Sequence, residues 1–141
     1  MSKVYTIGFS GKTKDPFLEI LNAVGVHLLI DIRLWRQSRF APWASGANLA
    51  AALGERYRHM PELAPTKELL SGYKDGVVDW AEYECVYNGL LEERQVQKLF
   101  SADKLDGICF LCAEKTADKC HRRLAAEYMA RHFHGIEIIH L

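Results

Sequence analysis

The chain has 141 residues, of which 49% are hydrophobic and 26% charged, and its 18 basic residues balance 18 acidic ones. These values predict one globular domain over residues 1–141 and exclude a disordered chain. A net charge of zero argues against bulk attraction to nucleic acid or to a membrane surface. The charge is uneven, however, because residues 31–60 carry five Arg against two acids, whereas residues 75–94 carry six acids against one Arg.

The chain shows no sign of export or membrane insertion. Met1 is followed directly by a strand-like run, and no apolar stretch approaches the roughly 20 residues of a membrane-spanning helix. Four cysteines at irregular positions, without a secretory signal, indicate reduced thiols. We therefore expect a cytoplasmic protein.

The first half of the chain predicts a βαβ unit. An apolar strand over residues 3–8 is followed by a helix that opens at Asp15-Pro16 and ends at Gly25, and a second buried strand follows over residues 27–32. Such a unit is expected to be right-handed and parallel. The next predicted elements are a polar loop at 33–46, a helix at 49–56 and a short strand at 57–60.

The second half continues the alternation of helices and strands. The predicted elements are a short helix at 65–73, a helix capped by Asp79, a short helix at 96–100, a strand at 107–112, a helix capped by Asp118 and a strand at 135–140. This pattern predicts an α/β fold: a single domain with a mostly parallel sheet of about five strands flanked by helices, in a Rossmann-like or flavodoxin-like three-layer arrangement.

Polar and reactive residues follow the three most convincing strands. Ser10 comes after the first, Asp31 and Arg33 end the second, and Cys112 and Glu114 end the strand at 107–112. Ligands of open parallel sheets bind at the carboxyl ends of the strands. The convergence predicts one polar pocket at this edge.

The turn that holds Cys120, His121 and Arg122 is the sharpest candidate for chemistry. A helix N-terminus beside cationic side chains suits an anion or a thiolate, so Cys120 is a candidate nucleophile. The alternative is a small buried residue that packs under the sheet. Cys109 and Cys112 have the spacing of a redox motif, but residues three apart on a strand point to opposite faces, so we reject that pair.

Three arginines suit the binding of an anion. Arg33, Arg39 and Arg122 could clamp a phosphate or carboxylate through paired hydrogen bonds. The alternative is that one of them, Arg33 above all, neutralises a buried carboxylate. Asp31 and Glu114 could likewise act as general acid and base, or belong to an Arg–carboxylate network without chemistry.

The whole chain resembles the bacterial and archaeal "domain of unknown function 488" family. The resemblance is carried by Tyr5-Thr-Ile-Gly-Phe-Ser10, Asp31-Ile-Arg33, Ser38-Arg39, Tyr57-Arg-His-Met-Pro-Glu-Leu63, Leu111-Cys-Ala-Glu114 and Cys120-His-Arg122. It implies a compact α/β fold with a shared polar pocket, and it supplies no reaction. Members of this family often have His where this chain has Phe9, so no role for that imidazole is carried over.

We expect a pocket for an anionic, phosphate-bearing ligand, either a nucleotide or a nucleic-acid segment. If the protein is an enzyme, its catalytic residues are Asp31, Glu114 and Cys120. The expected ligand-binding residues are Ser10, Arg33, Ser38, Arg39, Cys112, His121 and Arg122. The sequence leaves the cofactor unknown. Cys112, Glu114, Cys120 and His121 are permissible zinc ligands, but a metal is not favoured, because their spacing matches no standard zinc site.

Two other functions stay open. The first is a non-catalytic binding module for nucleic acid or protein, in which the aromatic and basic residues of the 34–46 loop contact the partner. The second is a thiol redox sensor, which requires an exposed and easily oxidised Cys120. The aromatic residues of the loop could also form a lid or a homodimer interface.

Overall fold

Five parallel strands form one sheet in the computed structural model, which describes residues 1–141. The strands are β1 (Ser2–Gly8), β2 (Leu28–Asp31), β3 (Tyr57–His59), β4 (Ile108–Cys112) and β5 (Ile136–His140). Their order across the sheet is β3-β2-β4-β1-β5, and every neighbouring pair runs parallel. The predicted α/β class is confirmed.

Five α-helices cover both faces of the sheet and complete three layers. They are α1 (Lys14–Val24), α2 (Gly46–Leu53), α3 (Lys67–Lys74), α4 (Trp80–Arg94) and α5 (His121–His132). The helices α1 and α2 pack on one face, whereas α3, α4 and α5 pack on the other. None of these helices is long and apolar enough to cross a bilayer.

Alternate residues of β4 belong to different cores. Ile108 and Phe110 pack with α4 and α5, whereas Cys109 and Leu111 pack with α1. Cys109 and Cys112 are therefore on opposite faces, as the strand period predicts. Burial raises the pKa of the Cys109 thiol far above its ordinary value, so this cysteine stays a neutral packing residue.

The starts of α1 and α2 differ from the sequence prediction. The helix α1 begins at Lys14 with Thr13 at the cap, not at Asp15, although Gly25 ends it in a left-handed conformation as expected. The helix α2 begins at Gly46, three residues earlier than predicted. The cap of α4 is confirmed, because the Asp79 carboxylate accepts a hydrogen bond from the backbone N–H of Glu82 over 2.8 Å.

The predicted N-cap of α5 is wrong. The helix begins at His121, and Cys120, not Asp118, occupies the cap position. The pKa of the Asp118 carboxyl is lowered by hydrogen bonding to the Thr116 side chain and to backbone of its own turn, which lies before the helix. Short polar side chains often form such local bonds in competition with helix capping. Cys120 consequently lies at the helix entrance rather than within the first turn.

The strand order creates a crevice between β2 and β4. The chain leaves β2 towards β3 on one side, and it leaves β4 towards β5 on the other side. Connections that diverge from neighbouring parallel strands leave an opening at their carboxyl ends, where ligands of such sheets bind. The fold thus places its crevice beside Asp31 and Cys112.

Candidate functional site

A pocket of about 240 Å³ lies in this crevice. Its floor is formed by residues that follow β2 and β4 and by the start of α5: Arg33, Leu34, Cys112, Ala113, Glu114, Cys120 and His121. The opposite wall comes from the α3–α4 segment, which crosses the strand ends. The pocket thereby brings together residues from four separate stretches of the chain.

Aromatic rings form the wall contributed by α3 and α4. The rings of Trp80 and Tyr83 are stacked, with centroids 5.0 Å apart and planes 16° from parallel. Tyr73 meets both of them at centroid distances of 5.6 and 5.2 Å. Trp35 lines the same pocket from the loop after β2. Such faces suit a planar ring, because aromatic pairs gain energy beyond the area they bury.

Arg33 and Asp31 form a buried ion pair at the end of β2. The guanidinium donates from Nε to Oδ1 and from Nη2 to Oδ2, each over 2.8 Å, and Tyr57 donates its hydroxyl to Oδ2 over 2.6 Å. Asp31 is fully buried and Arg33 is 6% exposed. Burial and the bond to Asp31 raise the pKa of Tyr57 to about 12, so its hydroxyl remains a donor. The predicted pairing of Arg33 with a buried carboxylate is thus present.

Arg122 is a buried guanidinium without a carboxylate partner. It is 1% exposed, and no acidic side chain is within ion-pairing distance of it. Its bonds go to neutral or sulfur acceptors: Thr6 Oγ1 at 3.2 Å, the Glu114 carbonyl at 2.5 Å and Cys112 Sγ at 3.2 Å. An uncompensated buried charge is costly, so this cation stabilises any anion that forms or binds beside it.

Cys112 and Cys120 are joined by a disulfide at the floor of the pocket. Their Sγ atoms are within bonding distance, which joins the end of β4 to the entrance of α5. Cys112 is 1% exposed and Cys120 is 3% exposed. Both cysteines are buried within the protein, although both line the pocket. The sequence predicted separate reduced thiols and missed the contact between these two.

His121 does not activate either cysteine. Its Nε2 bonds to the Ile32 carbonyl over 2.8 Å, and its ring packs edge-on against Tyr87. Burial lowers the pKa of His121 to about 4, so the imidazole is neutral at physiological pH. Its position ties α5 to the end of β2 and shapes the floor of the pocket.

The remaining predicted site residues lie at different distances from the pocket. Glu114 is exposed at its mouth. Ser38 and Arg39 line a neighbouring groove of about 880 Å³, together with Arg36 and Ser45. Leu34, Trp35 and Gln37 line both spaces, so the groove adjoins the pocket. Ser10 reaches neither space: it is exposed on the loop after β1, and its N–H bonds to the Ala113 carbonyl.

Five polar or aromatic pocket residues outside the 34–46 loop were missed, and four of them lie in α3 and α4, which carry no site motif in the sequence. Tyr73, Trp80 and Tyr83 have the helical spacing of ordinary packing residues, and Lys74 and Lys119 are exposed lysines. An excess of aromatic residues in the adjacent helices α3 and α4 is the one signal that could have drawn attention to them. The structure brings no three His, Cys, Asp or Glu side chains together in a metal-binding arrangement.

The fold and the pocket define the class of this protein: a three-layer α/β domain with a polar and aromatic site at the switch point of a parallel sheet. The model of the family "Domain of unknown function DUF488" matches residues 13–129, and the chain belongs to that family. No curated protein and no solved structure matched the chain.

Proposed function

We propose that the pocket binds a phosphate-bearing ligand that contains a planar ring, either a nucleotide or one nucleotide of a nucleic-acid strand. The observation that carries this proposal is the juxtaposition of an aromatic wall with basic side chains at one crevice. Tyr73 and Trp80 place half-buried aromatic rings in the lining, with the buried Tyr83 stacked against Trp80, and Lys74 and Lys119 stand on the same lining. Bases stack on such rings for about 1–3 kcal/mol each.

The dimensions favour a single ring inside the pocket. Its volume of about 240 Å³ is smaller than the roughly 300–1,000 Å³ of sites that enclose a whole drug-sized ligand. A base would fill the space, while the sugar and phosphate would extend towards the lysines or into the adjoining groove. Arg36 and Arg39 on that groove supply donors for further phosphates.

The ion pair of Arg33 and Asp31 suits ligand binding rather than catalysis by Asp31. Asp31 accepts bonds from Arg33 and Tyr57, so it orients the guanidinium whose edge forms part of the pocket lining. The Glu114 carboxylate is exposed at the mouth of the pocket and forms no ion pair, so it is the one that can exchange a proton with a ligand or with water. Enzymatic turnover would therefore use Glu114 with a water molecule, and the binding-only module would not need it.

The test is a titration followed by tryptophan fluorescence. Trp35 and Trp80 line the pocket, whereas Trp43 packs against Phe9 and Phe17. AMP, UMP and a short single-stranded oligonucleotide are added in turn, with adenosine and inorganic phosphate as partial ligands. We expect quenching by the nucleotides and weaker responses to either partial ligand, since ring and phosphate contacts both contribute.

Variants locate the binding to the pocket. Trp80→Leu removes a stacking face, and Lys119→Glu reverses a charge at the lining. Lys104→Glu is the matched control, because Lys104 is also exposed but precedes β4 and so lies at the opposite edge of the sheet. We expect at least a tenfold loss of affinity for the first two variants and none for the control. Equal losses in all three, or no saturable binding by the unaltered chain, would refute the proposal.

A nucleic-acid segment is favoured by the loop after β2. Trp35 is 53% exposed and Phe40 is 97% exposed, with the exposed Arg36 and Arg39 between them. A strand laid along this loop would give a steep fall of affinity with salt, with a slope of about 0.7 per neutralised phosphate. A mononucleotide would show a shallow dependence. Sedimentation of the unliganded chain tests the homodimer alternative for the same exposed aromatics.

A further inference from the structure

A sulfur pair and an unpaired cation meet beneath the pocket. Cys112 ends the central strand β4, Cys120 occupies the N-cap position of α5, and their Sγ atoms are joined in a disulfide. Nη1 of Arg122 is 3.2 Å from Cys112 Sγ and has no carboxylate to neutralise it. Nothing in the proposed ligand binding uses this cluster.

We propose that Cys112 and Cys120 are a redox-active dithiol that hydroperoxides oxidise to an intramolecular disulfide, with Cys112 as the attacking thiolate and Cys120 as the resolving thiol. The roles follow from the surroundings. Arg122 stabilises a negative charge on Cys112, because a guanidinium beside a thiol favours the thiolate. Cys120 has no cationic side chain bonded to its sulfur.

The reaction balances without any cofactor. The Cys112 thiolate attacks one oxygen of the hydroperoxide; an S–O bond forms, the O–O bond breaks, and an alcohol or water leaves with the thiol proton. The Cys120 thiol then attacks the sulfenic sulfur, an S–S bond forms, and water leaves with the second proton. The peroxide is reduced by two electrons, and the two thiols are oxidised by two. A reducing thiol returns the pair to its starting state by exchange.

The fold separates this pair from the other two cysteines. Cys112 and Cys120 both line the pocket, which gives a small peroxide a path to them. Cys109 is fully buried on the opposite face of the sheet, and Cys85 is exposed on α4. Cys85 therefore serves as an internal standard for an accessible thiol without a cationic neighbour at its sulfur, and Cys109 as a standard for an inaccessible one.

The size of the effect follows from the thiolate fraction. At pH 6 an ordinary thiol is about 0.3% ionised, and a thiol with a midpoint near 6 is about half ionised. The more acidic thiol also forms a less nucleophilic thiolate, so its reaction rate exceeds that of an ordinary thiol by only roughly tenfold. We expect Cys112 to react about ten times faster than Cys85 with hydrogen peroxide at pH 6.

The experiment uses the full chain, reduced with dithiothreitol and then exposed to hydrogen peroxide at pH 6. Free thiols are alkylated at intervals, and the chain is digested with trypsin. Oxidation should join peptide 105–115 to peptide 120–122, with fragment ions that place the link at Cys112 rather than Cys109. Excess dithiothreitol added to the native protein should reverse the link.

Variants assign the two roles. Cys120→Ser should leave Cys112 as a sulfenic acid that dimedone traps, and Cys112→Ser should abolish both the link and the trapped species. Arg122→Gln should slow oxidation of Cys112 about tenfold at pH 6, whereas Arg122→Lys, which keeps the charge, should slow it less. If Arg122→Gln does not fold, the alkylation midpoint of Cys112 in the unaltered chain decides the role of the guanidinium.

Three results would overturn the proposal. The first is that Cys85 is oxidised while the 112–120 link never forms. The second is a link that persists in the native protein under excess dithiothreitol, because this would make it a permanent staple. The third is an alkylation midpoint for Cys112 at or above the ordinary value of about 8.5. The proposal does not depend on nucleotide binding, so either can fail alone.

Discussion

Replacing Asp31 with Ala tests whether this carboxylate holds the fold or carries chemistry. Asp31 is fully buried and accepts bonds from Nε and Nη2 of Arg33 and from the Tyr57 hydroxyl. In the variant, the Arg33 side chain, which is 7% exposed in the unaltered protein, remains buried but loses its counter-charge. Breaking a buried pair by removing one partner costs about 3–5 kcal/mol. Domains of this kind are stable by only about 5–15 kcal/mol in total.

Urea denaturation measures this loss directly. With a slope of about 2 kcal/mol per molar urea, we expect the midpoint to fall by about 2 M. Tyr57→Phe removes one bond to the same carboxylate and should cost about 1.5–3 kcal/mol. The double variant Asp31→Ala/Arg33→Met removes both charges, so it should be more stable than Asp31→Ala alone.

Two results would refute this reasoning. If Asp31→Ala costs less than about 1 kcal/mol, the carboxylate is not needed to neutralise Arg33. If the double variant is less stable than the single one, the buried guanidinium is satisfied without Asp31. Either result, combined with loss of ligand binding or turnover, would restore Asp31 as a catalytic residue.

Three further predictions concern stability. Burial lowers the pKa of His121 from 6.5 to about 4, so the unfolded chain binds this proton first as the pH falls. The neutral His121 therefore makes its full contribution to the free energy of unfolding above pH 6.5. That contribution is lost between about pH 6.5 and pH 4, by up to about 3 kcal/mol. His121→Gln should flatten that part of the profile of urea midpoint against pH. Gly8→Ala should unfold the protein or cost several kcal/mol in the same assay, because the added Cβ would lie 1.5 Å from the Glu114 carbonyl oxygen. Asp79→Ala should cost about 1 kcal/mol through loss of the α4 cap, and a change in thermal midpoint below 1 °C would contradict it.

The sequence predicted the strands well because each one is a short apolar run. The runs that became β1, β2, β4 and β5 are bounded by turn residues, so the local pattern suffices to find them. The order of these strands was not predictable, because neighbours in the sheet are chosen by packing between distant segments. The predicted cap of α5 was wrong for a local reason. The short polar side chain of Asp118 can bond either to the helix or to its own turn, and Cys120, not Asp118, occupies the cap position.

The candidate site was predictable only along the strand ends. Arg33, Cys112 and Glu114 follow directly from the rule that parallel strands present their carboxyl ends to ligands. The wall formed by Tyr73 and Trp80 depends on where the α3–α4 segment crosses the sheet, which no spacing in the sequence encodes. The contact between the two pocket cysteines likewise depends on the path of residues 113–119.

The central position of β4 has a consequence for how the chain is synthesised and folded. The strand β1 pairs only with β4 and β5, and β2 pairs only with β3 and β4, so no strand pairing joins the two halves of the sheet until β4 is inserted. A nascent chain that has released its first hundred residues therefore holds one unpaired strand and one isolated two-stranded ribbon, both with open edges. Assembly awaits a segment made late in translation, and this interval is when the growing chain most needs protection from aggregation.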